Sequence, residues 1–128
     1  GVINMKMSRV ESGMRAALQF YEAFNGHDVA RMMQLMSDDC VLETSEPAPD
    51  GVVISGKDAV RRYWEAFFGE SPGAQMEIEE IFGLGMRCVA RWRFEWVDAA
   101  GERGTVRGAD ILRVKSGLIS EMLAYSKG

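Results

Sequence analysis

The sequence predicts an α+β domain in which a strongly curved antiparallel sheet wraps around three helices. Three observations carry this. Up to Glu70, apolar residues recur at spacings of three and four, the period of a half-buried helix. From Gln75 onward they alternate with polar residues between glycine-containing turns, the period of strands joined as hairpins. The longest of those strands carries an aromatic stripe, which is buried only if the sheet curls around the helices.

The elements follow in order. Residues 1–7 show no periodicity and are set aside as a disordered or expression-derived N-terminus, leaving residues 8–127 as one domain. Ser8 and Glu11 have capping-box spacing, and Met14, Ala17, Leu18, Tyr21 and Phe24 form the stripe of a first helix that Asn25-Gly26 ends. Asp28 caps a second, shorter helix with Val29, Met32, Met33 and Met36 on its apolar face, closed by Ser37-Asp38-Asp39. A short strand over 40–44 and a loop over 46–51 come next, and residues 52–54 pair back as a small hairpin. Gly56 opens a third helix with Val60, Tyr63, Trp64 and Phe67 on one stripe, stopped by Gly69. Four strands are predicted over 75–82, 86–97, 105–114 and 118–125.

Alternation assigns the faces. Cys88, Ala90, Trp92, Phe94 and Trp96 share the inner side of the longest strand, and Arg87, Arg91, Arg93 and Glu95 the outer side. In the next strand Asp110, Leu112 and Val114 face in, while Ile111 and Arg113 face out. In the last, Glu121, Leu123 and Tyr125 are expected on the inner face.

Composition narrows the function. The chain has 128 residues, enough for one core, with 15 Lys and Arg against 19 Asp and Glu, for a net charge of −4. An acidic protein lacks the positive field that a nucleic-acid surface requires, and its interspersed charges offer no polybasic patch to a membrane. No apolar run reaches the length of a membrane span and no signal peptide is evident, so a cytoplasmic placement is expected. Cys40 and Cys88 lie in separate apolar runs and read as reduced, buried thiols, with a disulfide left open by the sequence alone. The single histidine, His27, leaves neither a zinc cluster nor a Ser-His-Asp triad to build, and no phosphate-binding glycine motif occurs. A function without metal or cofactor is expected.

The segments Gln19-Phe20-Tyr21, Asn25-Gly26-His27-Asp28, Leu35 to Glu43, Gly56 to Val60, Gly108-Ala109-Asp110-Ile111 and Gly117 to Glu121, in this order of elements, resemble the NTF2-like superfamily. Within it the similarity is to the SnoaL-like and ketosteroid-isomerase branch, over roughly residues 12–126. The resemblance implies a cone with an apolar pocket at its wide end, a homodimer, and a hydrophobic small-molecule ligand. It does not fix the chemistry, since one fold hosts many functions.

Carried over residue by residue, the resemblance is partial. The isomerase base on the first strand corresponds to Thr44, after Leu42-Glu43. A hydroxyl without an adjacent base does not shuttle a proton near neutral pH, so steroid isomerisation is not expected. Glu43 is one residue off and points to the opposite face. The oxyanion tyrosine of the first helix corresponds to Phe20 or Tyr21, and the apolar stripe favours Tyr21. The carboxylic acid of the penultimate strand, used as acid/base in SnoaL-type cyclases, corresponds to Asp110. Dehydratase-like chemistry asks for two histidines where one is present. Epoxide-hydrolase-like chemistry asks for an inward arginine, but strand parity places Arg91 and Arg93 outside unless a bulge intervenes.

These readings give a candidate site. Asp110 and Tyr21 are the candidate catalytic pair; Thr44, Trp64, Cys88, Trp92, Phe94, Leu112 and Tyr125 are candidate ligand contacts. Each has an ordinary alternative: Asp110 as a satisfied buried acid, Tyr21 and the aromatics as core. Glu121 is either a second site acid or, in preference, half of a helix-to-sheet ion pair; His27 is a cap or solvated. Met32, Met33, Met36 and Met122 suggest a soft pocket wall, or plain gap-filling. The expected function is a cofactor-independent isomerase-, cyclase- or hydrolase-like enzyme acting on a hydrophobic polyketide- or terpenoid-like molecule. The alternative is a non-catalytic binding or accessory module. A homodimer is expected through the outer face of the sheet, where Val89 and Ile111 lie among charges able to pair across a two-fold axis.

Overall fold

The computed structural model describes residues 9–127; residues 1–7 and the Ser8 half of the expected capping box lie outside them. Helix α1 (Arg9–Asn25) turns one face inward, burying Ala17, Phe20, Tyr21 and Phe24. Its end is a Schellman-type turn in which the Asp28 amide donates to Ala23 O and the His27 amide to Phe24 O, both at 2.9 Å. The left-handed residue there is His27, at φ 52°, rather than Asn25 or Gly26. Tertiary contacts outweigh its local preference: the ring stacks on Phe68 with centroids 4.3 Å apart, and Nε2 donates to Ala74 O at 2.8 Å. His27 is therefore a tie between distant segments, not a solvated cap.

Asp28 caps α2 (Val29–Gln34) by accepting from the Arg31 amide at 3.0 Å. Met36, expected on this helix, is instead the first residue of β1 (Met36–Glu43), because it is paired with Ile119 and fully buried. The hairpin strand β2 (Val53–Ser55) follows, then α3 (Lys57–Glu70), which runs through Gly69 and buries Val60, Trp64 and Phe68. The remaining strands are β3 (Gln75–Leu84), β4 (Arg87–Val97), β5 (Arg103–Lys115) and β6 (Leu118–Ser126).

The six strands form one curved sheet in the order β2-β1-β6-β5-β4-β3. Every pairing is antiparallel except that of β1 with β6, which is parallel. Curvature has visible sources. Glu79 is an extra residue in β3 between the pairs Ile78–Trp92 and Glu80–Arg91, and Ser120 is extra in β6 between Val114–Ile119 and Arg113–Glu121. Such bulges bend a strand and strengthen its twist. The helices fill the concave side, where the core lies.

The bulge at Ser120 corrects one expectation. Strict alternation from the buried Ile119 would carry Glu121, Leu123 and Tyr125 inward, but the extra residue reverses the parity. Met122 is buried, Ala124 and Ser126 face the concave side with it, and Tyr125 is 54% exposed on the convex side. Glu121 accordingly forms an outer-face ion pair with Arg87 at 2.9 Å, strand to strand rather than helix to sheet. Parity in β4 and β5 follows the alternation. Arg91 pairs with Glu80, Arg93 with Glu77 and Glu95, and Arg107 with Glu79, all part-exposed and each worth little singly.

Two glycines of β5 answer two tryptophans of β4. In the ladder Trp92 stands opposite Gly108 and Trp96 opposite Gly104. A Cβ on Gly104 would lie 2.0 Å from the Trp96 indole, and one on Gly108 would lie 2.5 Å from Trp92 and 2.2 Å from the carbonyl oxygen of Tyr125. Each indole thus lies across a bare stretch of neighbouring backbone. Gly108→Ala forces ring and backbone apart, an overpacking cost of ~1–3 kcal/mol. The melting temperature followed by circular dichroism should fall by ~4 °C or more; an unchanged value would show that the Trp92 ring does not lie there.

Candidate functional site

Between the helices and the concave face lies a cavity of about 330 Å³. Its size suits a small organic molecule, and its walls are mostly apolar, with aromatic rings prominent among them. Tyr63, Trp64 and Phe67 come from α3, and Trp92, Phe94 and Trp96 from β4. Helical spacing explains the first group, since residues three and four apart share a face; alternation explains the second. Trp64 is fixed edge-on to Phe20 and Phe24, at 6.2 and 5.7 Å between centroids. Thr44, Ser45 and Glu46, just beyond β1, line the cavity alongside these walls.

Asp110 is the polar group set deepest in this lining. It is 4% exposed, and β5 holds it directly opposite Ala90, whose small side chain leaves it room. The Tyr21 hydroxyl donates to Asp110 Oδ2 at 2.7 Å across 89 positions of sequence. The second carboxylate oxygen has no hydrogen-bond partner among the described residues and is left to the cavity that Asp110 lines. Burial pushes the Asp110 pKa up from 3.8 to about 6, against the Tyr21 hydrogen bond and the neighbouring Trp92 N–H, both of which pull it down. Trp92 acts there as a nearby dipole, because its N–H falls short of hydrogen-bond geometry. Burial also holds the Tyr21 phenol well above its usual 10, with the Asp110 charge adding to the effect. Tyr21 therefore stays protonated and donating.

A carboxyl titrating near 6 is mainly ionised at pH 7–8, so Asp110 is a poised base there rather than a standing neutral acid.

The structure brings together Asp110, Tyr21, Thr44, Trp64, Trp92 and Phe94 from the sequence-derived set. It separates three others. Cys88 and Leu112 are on the correct face but sink into the core beneath the cavity, and Tyr125 is on the convex side. The Thr44 hydroxyl is already engaged: it donates to Glu46 O at 2.7 Å and accepts from the Val52 amide at 3.0 Å, closing the loop between β1 and β2. Of the methionines expected in the wall, Met122 lines the cavity, while Met32, Met33 and Met36 are core. Met76 was missed. Asn25 places it by accepting from the Met76 amide at 2.7 Å and donating to its carbonyl at 2.8 Å, a cross-link that no local pattern signals. Ser126 was missed through the bulge at Ser120, and Glu46 because loops carry no period.

Among the described residues, three buried donors lack partners: the indole N–H groups of Trp64 and Trp92, and Arg93 Nε. The two indoles belong to the cavity walls, so unmet polarity gathers where the core gives way to the site. No three His, Cys, Asp or Glu side chains among the described residues come together as a metal site. Both cysteines are free and buried.

Comparison with known proteins agrees with this architecture. The family described as SnoaL-like domain matches residues 17–122, so the chain belongs to that family. An NTF2-like protein of unknown function from Mesorhizobium loti is 35% identical, covering 97% of this chain and 98% of its own, with a TM-score of 0.80. A Mycobacterium tuberculosis protein in complex with estradiol-17beta-hemisuccinate is 26% identical, covering 89% and 92%, with a TM-score of 0.78. A putative polyketide cyclase from Xanthomonas campestris pv. campestris, at 20% identity, 92% coverage of each chain and a TM-score of 0.78, shares the fold. No curated protein sequence matches the chain.

The raised pKa fixes a pH dependence. Folding takes up a proton on Asp110, so the stability from its neutral form is complete below the unfolded value of ~3.9 and is lost as pH rises through about 6. Asp110→Asn has no such loss. In urea unfolding, the stability of Asp110→Asn relative to wild type should therefore rise by ~2–3 kcal/mol from pH 4 to pH 7. A flat or falling difference would mean that Asp110 is an ionised structural partner.

Proposed function

We propose that this SnoaL-like protein holds a hydrophobic, polyketide- or terpenoid-like small molecule in the aromatic cavity and moves a proton on it, as isomerases and cyclases do, without a cofactor. The observation that carries the reading is the Tyr21–Asp110 hydrogen bond: one oxygen of a desolvated carboxylate is held at 2.7 Å and the other is left to the cavity. The free oxygen takes the proton of an acidic C–H bond, and the bonding pair moves into an adjoining carbonyl. The same oxygen returns the proton at the far carbon of a conjugated double bond, which completes an isomerisation, or to the alkoxide left when the enolate carbon closes a ring onto a second carbonyl. Tyr21 keeps its own proton throughout, fixes the carboxyl rotamer and limits the rise of its pKa. A base titrating near 6 suits work near neutral pH, where such a group typically contributes 10²–10⁴-fold.

The estradiol ester bound by the Mycobacterium tuberculosis neighbour and the cyclase name of the Xanthomonas protein support the class of ligand and of reaction. Steroid isomerisation itself is not proposed, since the Thr44 hydroxyl is committed to its own loop. One observation favours a second reading, a binding module without chemistry: Tyr21 is the one side chain hydrogen-bonded to Asp110 among the described residues, with no second acid or base beside it. No helix among the described residues is long and apolar enough to cross a membrane, and a cytoplasmic placement belongs to the same proposal.

A ring-opening probe separates the two readings. 5-Nitrobenzisoxazole is flat, aromatic and opened by loss of one C–H proton. Wild-type protein should accelerate its opening, with a rate that rises with pH through an inflection near 6. Asp110→Asn should lose about tenfold or more of that rate, and Tyr21→Phe should move the inflection upward. Equal rates for wild type and Asp110→Asn would leave the binding module as the reading.

We further propose a homodimer through the convex face. Tyr125 is exposed there, Val89, Ile111 and Leu123 are half-buried, and the arginine–glutamate pairs flank them, an apolar patch edged by charge. Light scattering at micromolar concentration should give about twice the 14.2 kDa chain mass. A monomer would refute the interface.

A further inference from the structure

The charge lining the cavity has one sign. Asp110 and Glu46 are its two acids, and none of its lining residues is Lys, Arg or His. The cations adjacent to lining residues in sequence stay out of the lining: Arg91, Arg93 and Arg107 are on the other side of the sheet, paired with glutamates, and Arg62 and Lys127 are exposed. Asp110 is therefore a buried carboxylate served by one neutral hydroxyl and no cation, and its second oxygen is unpartnered among the described residues. A buried charge in that position is stabilised most by a group that brings the opposite charge. The Trp92 N–H beside Asp110 eases its charge as a dipole without cancelling it, and the ring faces of the walls favour the same sign of ligand. The faces of aromatic rings are negative, they attract cations within about 6 Å, and indole is the strongest of them. All three tryptophans of the chain line this cavity, together with Tyr63 and Phe94. Glu46 is exposed where it meets the cavity, so an approaching cation encounters negative charge first, on a protein of net charge −4.

We propose that the cavity selects for positive charge: it takes an apolar molecule bearing a protonated amine, whose ammonium sits between Asp110 and the indole faces, and it discriminates against the same skeleton bearing a carboxylate. The inference rests on the reading of the cavity as the ligand site, and it stands whether or not Asp110 moves a proton. Where Asp110 is a base, the ammonium engages its free oxygen, so an amine of this kind occupies the cavity in competition with the substrate.

Three adamantane compounds that do not absorb in the protein's ultraviolet band test this: 1-adamantylmethylamine, 1-adamantanemethanol and adamantane-1-carboxylate. Binding to the full chain at pH 7.5 is read from tryptophan fluorescence, since every tryptophan lines the cavity. The amine should bind at least about tenfold more tightly than the alcohol, and the carboxylate more weakly than the alcohol. Asp110→Asn should bring the amine to within about threefold of the alcohol. Should that variant fail to fold, the ranking of the three compounds on wild type decides alone. Alcohol or carboxylate binding as tightly as the amine overturns the charge selection and leaves the cavity as a ligand site. Failure of all three to bind overturns both.

Discussion

A carboxylate shut away from water without a counter-ion is the constraint on which the rest of this molecule turns. Asp110 is almost wholly buried, and the one direct hydrogen bond that it receives comes from Tyr21. An ionised group in that setting is strongly disfavoured, so the carboxyl shifts its titration instead, to about 6. For the hydroxyl to reach it, α1 must lie against β4 and β5 with its Phe20–Tyr21–Phe24 stripe turned inward. The Schellman turn at His27 and the Asn25 cross-link to Met76 hold the far end of that helix. Structure remote from the carboxylate is thus concerned with where one phenol oxygen stands.

The second requirement is space beside the carboxylate. A concave sheet packed with large aromatics would ordinarily fill itself, since interiors reach crystal-like density. Here Trp92 and Trp96 lie over Gly108 and Gly104, so their rings spread along the sheet rather than into the cone. Ala90 beside Asp110, and Ala124 on β6, keep the same surface low. The bulges at Glu79 and Ser120 curve the sheet enough to enclose what remains. A cavity of about 330 Å³ with a carboxyl group in its wall follows from these small residues as much as from the large ones.

Much of this was legible in the sequence, and the failures have physical causes. The helices and strands were readable because most bury one face and so impose a period. Asp110 stood out because a charge occupied an inward position between apolar neighbours, and Tyr21 because the helical stripe chose it over Phe20. Met36 was assigned to the wrong element because a methionine after a short helix fits either period; pairing with Ile119 decided it. Tyr125 was placed inside and Ser126 overlooked for a single reason, the extra residue at Ser120, which alternation cannot reveal. Cys88 and Leu112 had the correct face, but depth within a core is a property of the whole packing. The resemblance to the SnoaL-like branch named the fold and pointed to Asp110, and it offered no account of the charge of the ligand.

The central claim is that burial, restrained by Tyr21, sets the ionisation of Asp110 near neutrality. Carbon-13 NMR of the Asp110 side-chain carboxyl tests it without any ligand or substrate. The account predicts a titration midpoint near 6 in wild type and a higher midpoint in Tyr21→Phe, where the lowering hydrogen bond is gone. A wild-type midpoint at or below the ordinary aspartate value of ~3.9 would contradict it.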